Sequence, residues 1–476
     1  MSAYKSGNNI VIDTEPITLS GVVDDIADTS YIEEVSSGVF EIKGNRYLMI
    51  QNAGELIIGN SSDYSVSETL QLSPTSNGGS RLYIYHNSTL SMYGNSEFKG
   101  TTNSYYSYTY CYGKLYVRGN DTYKPRFSKI YNWRFLYTPS IEGSYEHDIW
   151  DIDKAVVADP FNISSYPFQL ESNMLHMPVM SFKNIIFDMY EGAVAGEYGC
   201  NSCMYLRYDI TGDFDKIVFD TCTFRHSLYG IFMYYGSIPY FKNCTFEENH
   251  TYAFYSLGHP NTNNYQETIY TVAGNKIAGA EGQRFIFCDN CTFDKNYWDT
   301  AVGSRRCVLA YNGSRILFRD CDFYYTDYRS IWNGNGGLTY LWGDTNTFHD
   351  GGLAYYNYGG AVYHVQGLDL TVLDPSGNPV DDADVIIRQS QGKELLQFRT
   401  TTNGKVKTMY SLNQVIVLVH RIWTDTAGST EYWSDSSNNT YHEIVVSKPE
   451  YGKIIRNIVM DQDRSVTMRF CDFSGF

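Results

Sequence analysis

The side chains best placed to do chemistry in this chain stand one and two positions after a recurring phenylalanine. Glu247 and Asp294 occupy the first slot, and His226, Glu248, Lys295 and Asp350 occupy the second. Carboxylates and an imidazole at matching positions suit acid–base work on a glycosidic bond, which needs two carboxyl groups about 5 to 9 Å apart. If the chain is an enzyme, Glu247, Glu248 and Asp294 are its catalytic candidates. The same residues also read as a solvated face whose charge discourages edge pairing.

Five or six residues past the phenylalanine stand Tyr229, Tyr252, Trp298 and Tyr328. Such a ladder can hold sugar rings or a partner protein, because an aromatic face buries area while its polar tip stays wet. The bland alternative is interior or loop packing. The run SYYSYTYCY, residues 104–112, is a second tyrosine-dense patch open to both readings. Cys200 and Cys203, like Cys288 and Cys291, form C-x-x-C pairs, but the 84 residues between them exceed zinc-ribbon spacing. No metal and no cofactor is therefore expected. G-x-S-x-G, H-E-x-x-H, a Walker loop and a strand-turn-helix G-x-G-x-x-G are all missing.

A repeat must position these residues. IVFDTCTF (217–224), YFKNCTF (240–246), FCDNCTF (287–293), LFRDCDF (317–323) and LWGDTNTF (341–348) are one phrase. Its aligned pairs are Cys222/Phe224, Cys244/Phe246, Cys291/Phe293, Cys321/Phe323 and Asn346/Phe348, at intervals of 22, 47, 30 and 25 residues. The alternation of a strand turns both members of each pair inward, so Thr223, Thr245, Thr292, Asp322 and Thr347 face out. One unit cannot bury its own apolar face, but stacked units place Phe on Phe and Cys on Cys. With 47 residues counted as two units, Glu247 and Asp294 are expected about 10 Å apart.

The first half repeats more loosely, with strands running into Gly-Asn at Gly44, Gly59, Gly94 and Gly119, a dipeptide suited to corners of positive φ. The expected fold is all-β: a parallel β-helix followed by a small antiparallel β-sandwich. Residues 1–37 are expected as a cap or attachment segment with a weak helix within 20–36, and 38–365 as the β-helix with an irregular insertion near 121–180. From Leu368 alternating strands split by Pro375-Ser376-Gly377-Asn378 and Thr402-Asn403-Gly404 predict the sandwich over 366–448, with 449–476 as a C-terminal tail.

Composition agrees. Forty-four Tyr, 25 Phe and 40 Gly suit strands and corners. A net charge of -17 and pI near 5.0 argue against nucleic acid or an anionic membrane as partner. No run approaches the roughly 18 apolar residues of a membrane span, and the start lacks a secretory pattern, so synthesis in a cytoplasm and free thiols are expected.

The rung phrase resembles the right-handed parallel β-helix repeats of pectate-lyase-like proteins, which include polysaccharide lyases and hydrolases, phage tailspikes and surface adhesins. Val372, Asp374, Gly377, Pro379, Val380, Ala383 and Val385, with Thr400, Asn403 and Gly404, resemble the carboxypeptidase-regulatory or transthyretin-like sandwich, an accessory module without catalytic residues. A long solenoid without a secretory start or cofactor motif, with free cysteines and a terminal sandwich, fits a non-enzymatic structural or adhesive component of a virus particle, as tail fibre, tailspike or capsid decoration. It would be located in the virion and assembled with other virion proteins as a homo-oligomer such as a trimer, and it would bind host surface polysaccharide. A polysaccharide depolymerase and a cell-surface adhesin are the alternatives.

Overall fold

The computed structural model describes residues 2–100, 105–129, 132–137, 150–158, 166–172, 180–190, 199–208, 217–234, 239–258, 285–296, 306–324, 329–349, 353–388, 395–406, 408, 412–423, 430–432 and 441–471. Three long sheets of 13, 15 and 12 strands run through them. The sheets are called A, B and C here. Each rung passes from A to B to C, as in Cys200–Tyr208, Ile217–Asp220 and Thr223–Arg225, before Ser227–Tyr234 returns to A one layer on. Every such return is parallel, so the chain is a right-handed parallel β-helix.

The repeated phrase spans the corner between sheets B and C. Thr221, Asn243, Asn290 and Asp320 turn it with φ of 57, 53, 52 and 54°. Asn and Asp tolerate that left-handed conformation better than most residues, which is why they recur there. Past the corner, Phe187, Phe224, Phe246, Phe293, Phe323 and Phe348 stack at centroid spacings of 4.8, 4.8, 5.2, 4.7 and 4.8 Å, within 8° of parallel. Cys222, Cys244, Cys291 and Cys321 form a buried column of free thiols beside them. Asn346 replaces the next cysteine. It accepts from the Cys321 amide and donates to the Phe318 carbonyl, so it closes the column with backbone hydrogen bonds.

Several expectations are corrected. Asn9–Asp13 and Pro16–Thr18 already belong to sheets A and B, so the parallel stack starts well before residue 38. The helix is Leu19–Ile26, capped by the Thr18 hydroxyl and ended by Ala27 at φ 47°, and it packs Leu19, Val22 and Ile26 over the first rung. The described strands within 121–180 continue sheets C, A and B in turn, while 138–149, 159–165 and 173–179, where the expected insertion would leave the stack, lie outside the described residues. Pro167, which cannot donate to a ladder, sits where the register slips between Tyr166 and Phe168. Gly44 turns from sheet C to A, whereas Gly59 and Gly94 turn from B to C, and Gly119 is absent from the positive-φ residues.

Ala361–Leu373 joins two cores. Its first half pairs with Leu338–Trp342 of the last rung, and its second half pairs with Arg464–Arg469. Opposite lies the antiparallel sheet of Leu395–Arg399, Asp384–Arg388, His442–Lys448 and Gly452–Ile458, over a separate apolar cluster that includes Val372, Val385 and Ile444. Residues of the expected tail therefore supply two strands. The sandwich motif is structural: Asp374 accepts from the Asn378 amide around Gly377 at φ 92°, and Thr400 donates to the Val380 carbonyl while accepting from the Ala383 amide.

Where sandwich meets rung, His364 and His442 are buried, and burial pushes both down to about 4 from 6.5. Each is neutral in the folded chain, so the unfolded state binds more protons as pH falls from 6.5 to 4. Thermal stability should drop across that window, and His442→Phe should shallow the drop in melts recorded at stepped pH. In the stack, Phe246→Ala should cost about 3–5 kcal/mol by the cavity it leaves, read by denaturant titration.

Candidate active site at a charged corner

Phe224, Phe246 and Phe293 are each followed by the corner from sheet C to sheet A, and there the polar slots converge. Arg225 pairs with Glu247, and Glu247 pairs with Asp294, each on the adjacent strand. Glu247 and Asp294 are therefore one rung apart, about 4.8 Å by strand spacing. The expected 10 Å is corrected because the 47-residue interval is a single rung. Its extra residues leave between sheets A and B, between Leu257 and Ile286.

One further carboxylate organises the cluster. Asp188, with a side chain 6% exposed, accepts two hydrogen bonds from Arg225 at 3.0 and 2.8 Å, and its other oxygen lies 2.6 Å from His226 Nδ1. Arg225 also reaches Glu247 at 3.1 Å, and His226 Nε2 lies 3.2 Å from Glu248. Lys295 stands 3.8 Å from both Glu248 and Asp294. Both His226 nitrogens face carboxylate oxygens, which only accept, so the arrangement favours the ring protonated at both nitrogens. The Asp188 bond raises the His226 pKa above its ordinary value against the opposing effect of burial. Burial pushes Asp188 up, but His226 and Arg225 outweigh it and hold the carboxyl below the usual range.

Backbone strain and buried amides hold the arrangement. His226, Glu248 and Lys295 sit at φ 59, 51 and 48°, an uncommon conformation for such side chains. Behind them Asn249 donates to the Phe224 carbonyl and to Asn296 Oδ1, and Asn296 donates to the Phe246 carbonyl, all inside the helix. Beside them on sheet A, Tyr229 and Tyr252 stack at 6.0 Å and 21°, and Tyr229 approaches Tyr255 at 5.0 Å. Phe232 joins from the same strand, 5.0 Å from Tyr255. Trp298, Tyr328 and Asp350 lie outside the described residues.

The sequence-named Glu247, Glu248 and Asp294 lie together at this corner with Tyr229 beside them, and Asp188, which links Arg225 and His226, was not among the residues named from sequence. The signal was legible: FKNIIFD, residues 182–188, matches FKNCTFE, residues 241–247, with Ile185 in the cysteine slot. His226 stands among the acid–base candidates of the sequence, whereas its neighbour Arg225 does not. Among the described residues, no group of three or more His, Cys, Asp or Glu side chains is arranged to hold a metal ion. The C-x-x-C cysteines are interior, and burial pushes the Cys203 thiol up to about 12.

No protein-family model and no curated protein matches the chain. Among solved structures it is similar to the periplasmic alginate epimerase AlgG, at 11% identity over 74% of this chain and 85% of that one, with a TM-score of 0.42. A double mutant and a single mutant of that epimerase align over the same shares, at 10% and 11% identity and TM-scores of 0.39 and 0.40.

The hub is testable by titration. Asp188→Asn should lower the His226 pKa, read from its ring proton shifts by NMR, while leaving the His364 titration in place.

Proposed function

We propose that this chain binds a glycan on the outer face of sheet A and acts on it at the adjoining corner, as a polysaccharide lyase or glycoside hydrolase. One observation carries the reading: a histidine held between the buried Asp188 and Glu248 stands with Glu247 and Asp294 beside the partly exposed Tyr229 and Tyr255. In this role His226, oriented by Asp188, positions the Glu248 carboxyl for proton transfer. Glu247 and Asp294, on neighbouring strands, suit the close carboxylate separation of about 5–5.5 Å used when one carboxylate attacks the sugar directly. Tyr229 and Tyr255, both partly exposed, supply apolar ring surface with hydroxyl tips, the chemistry that meets faces and edges of a sugar, while Tyr252, 8% exposed, packs in the interior behind them.

The test is release of reducing ends or unsaturated sugars from capsular, envelope and plant polysaccharides. Glu247→Gln, Asp294→Asn and His226→Gln should each lower turnover by roughly 10²- to 10⁴-fold while the protein stays folded. Binding without release, unchanged by these variants, would refute the enzyme reading and return the chain to a passive adhesive rod on a particle surface.

A further inference from the structure

Sheet A carries one register line far beyond the corner. Tyr83 pairs with Tyr110, and the line continues through Arg134, Gln169, Tyr205, Phe232, Tyr255, Leu309 and Trp332 to Tyr356. These are nine steps between paired strands, or roughly 43 Å along the helix axis. Its aromatics fall into three groups, Tyr83 with Tyr110, then Tyr205, Phe232 and Tyr255 beside the charged corner, then Trp332 with Tyr356, and the line is buried between them at Gln169 and Leu309.

The first group is a built surface. Tyr83 and Tyr110 stack at 5.1 Å and 16°, and Tyr85 and Tyr112, two residues on, pair at 6.2 Å and 18°. Arg81 is committed there: it donates to the Tyr83 hydroxyl at 3.0 Å, and its guanidinium lies over the Tyr47 and Tyr110 rings. All four of these tyrosines are half-buried, so the rows present ring edges and hydroxyls instead of full rings. Rows repeating at the strand spacing match a ligand that itself repeats, and no carboxylate interrupts them at Tyr83, Tyr85, Tyr110 or Tyr112.

We propose that these tyrosines form a second station for the glycan of the preceding section, and that the ligand is an uncharged polysaccharide chain long enough to reach both stations past the buried position of Gln169. The proposal rests on that reading. Charge supports the uncharged class: a chain of net -17 repels a polyanion, and Arg81 is already engaged with its own tyrosines. Two stations on one rigid face convert the second contact into an intramolecular one, so affinity rises with chain length beyond what either station supplies.

Affinity electrophoresis through gels holding hydroxyethyl cellulose, galactomannan or dextran, with carboxymethyl cellulose as the charged counterpart, tests this. At least one neutral polymer should retard the protein, and Tyr83→Ala/Tyr110→Ala should weaken that retardation on the order of tenfold. Tyr83→Phe/Tyr110→Phe, which keeps the stacked rings and so controls for folding, should retain most of it. Cleavage of short oligosaccharides at the corner should be unchanged in the Ala variant, which separates failure here from failure of the catalytic reading. Retardation by no neutral polymer, retardation equal in the Ala variant, or stronger retardation by carboxymethyl cellulose would each overturn the proposal.

Discussion

Everything in this molecule depends on like residues lying on like residues from one rung to the next. A rung has no core of its own; its phenylalanine is buried only because another lies about 5 Å above and below. The Phe187-to-Phe348 column shows the condition met over six successive strands of sheet C, with rings nearly parallel. Stability is then close to a sum over neighbouring rungs, and both ends of the solenoid must be closed. The helix Leu19–Ile26 closes one end, and the continuous strand Ala361–Leu373 leads the other into the sandwich core.

The charged corner exploits the same register. Because Phe224, Phe246 and Phe293 are locked in line, the residues after them are also in line, and Arg225, Glu247 and Asp294 become neighbours. Side chains from remote parts of the chain thus meet in fixed order without a loop having to find its place. The left-handed corner residues then swing His226 and Glu248 outward, while the Asn249–Asn296 ladder pins the backbone behind them. Such a site is rigid by construction, which favours groups that must be held at constant separation.

The sandwich is tied to the solenoid by backbone pairing and by specific polar contacts. Asp463, in the turn before the last strand, accepts from the Trp342 indole and the Gly367 amide, joining the last rung to the shared strand. His364 accepts from Arg421 and lies 3.2 Å from Asp344 at the same junction. Both interactions cross between elements far apart in sequence, so the two cores meet through a polar seam.

Much of this was legible in the residues alone. The phrase around Cys222/Phe224 to Asn346/Phe348 determined the strand period, the inward pairs and the all-β solenoid, because side-chain alternation is a local property of an extended chain. The Val372-to-Gly404 pattern determined the sandwich turns, since Gly377 and Gly404 mark backbone that most side chains resist. What only the tertiary structure decided was which rungs are neighbours. An excursion leaves the interval from Glu247 to Asp294 indistinguishable from two rungs when counted in residues, yet the parallel pairing makes it one. Asp188 became the hub of the site for the same reason: its match to Glu247 tolerated an isoleucine in place of a cysteine, and only pairing of Asp188 with Arg225 across strands put its carboxylate beside His226. Sequence spacing measures distance along the chain, whereas hydrogen bonding between strands sets distance in space.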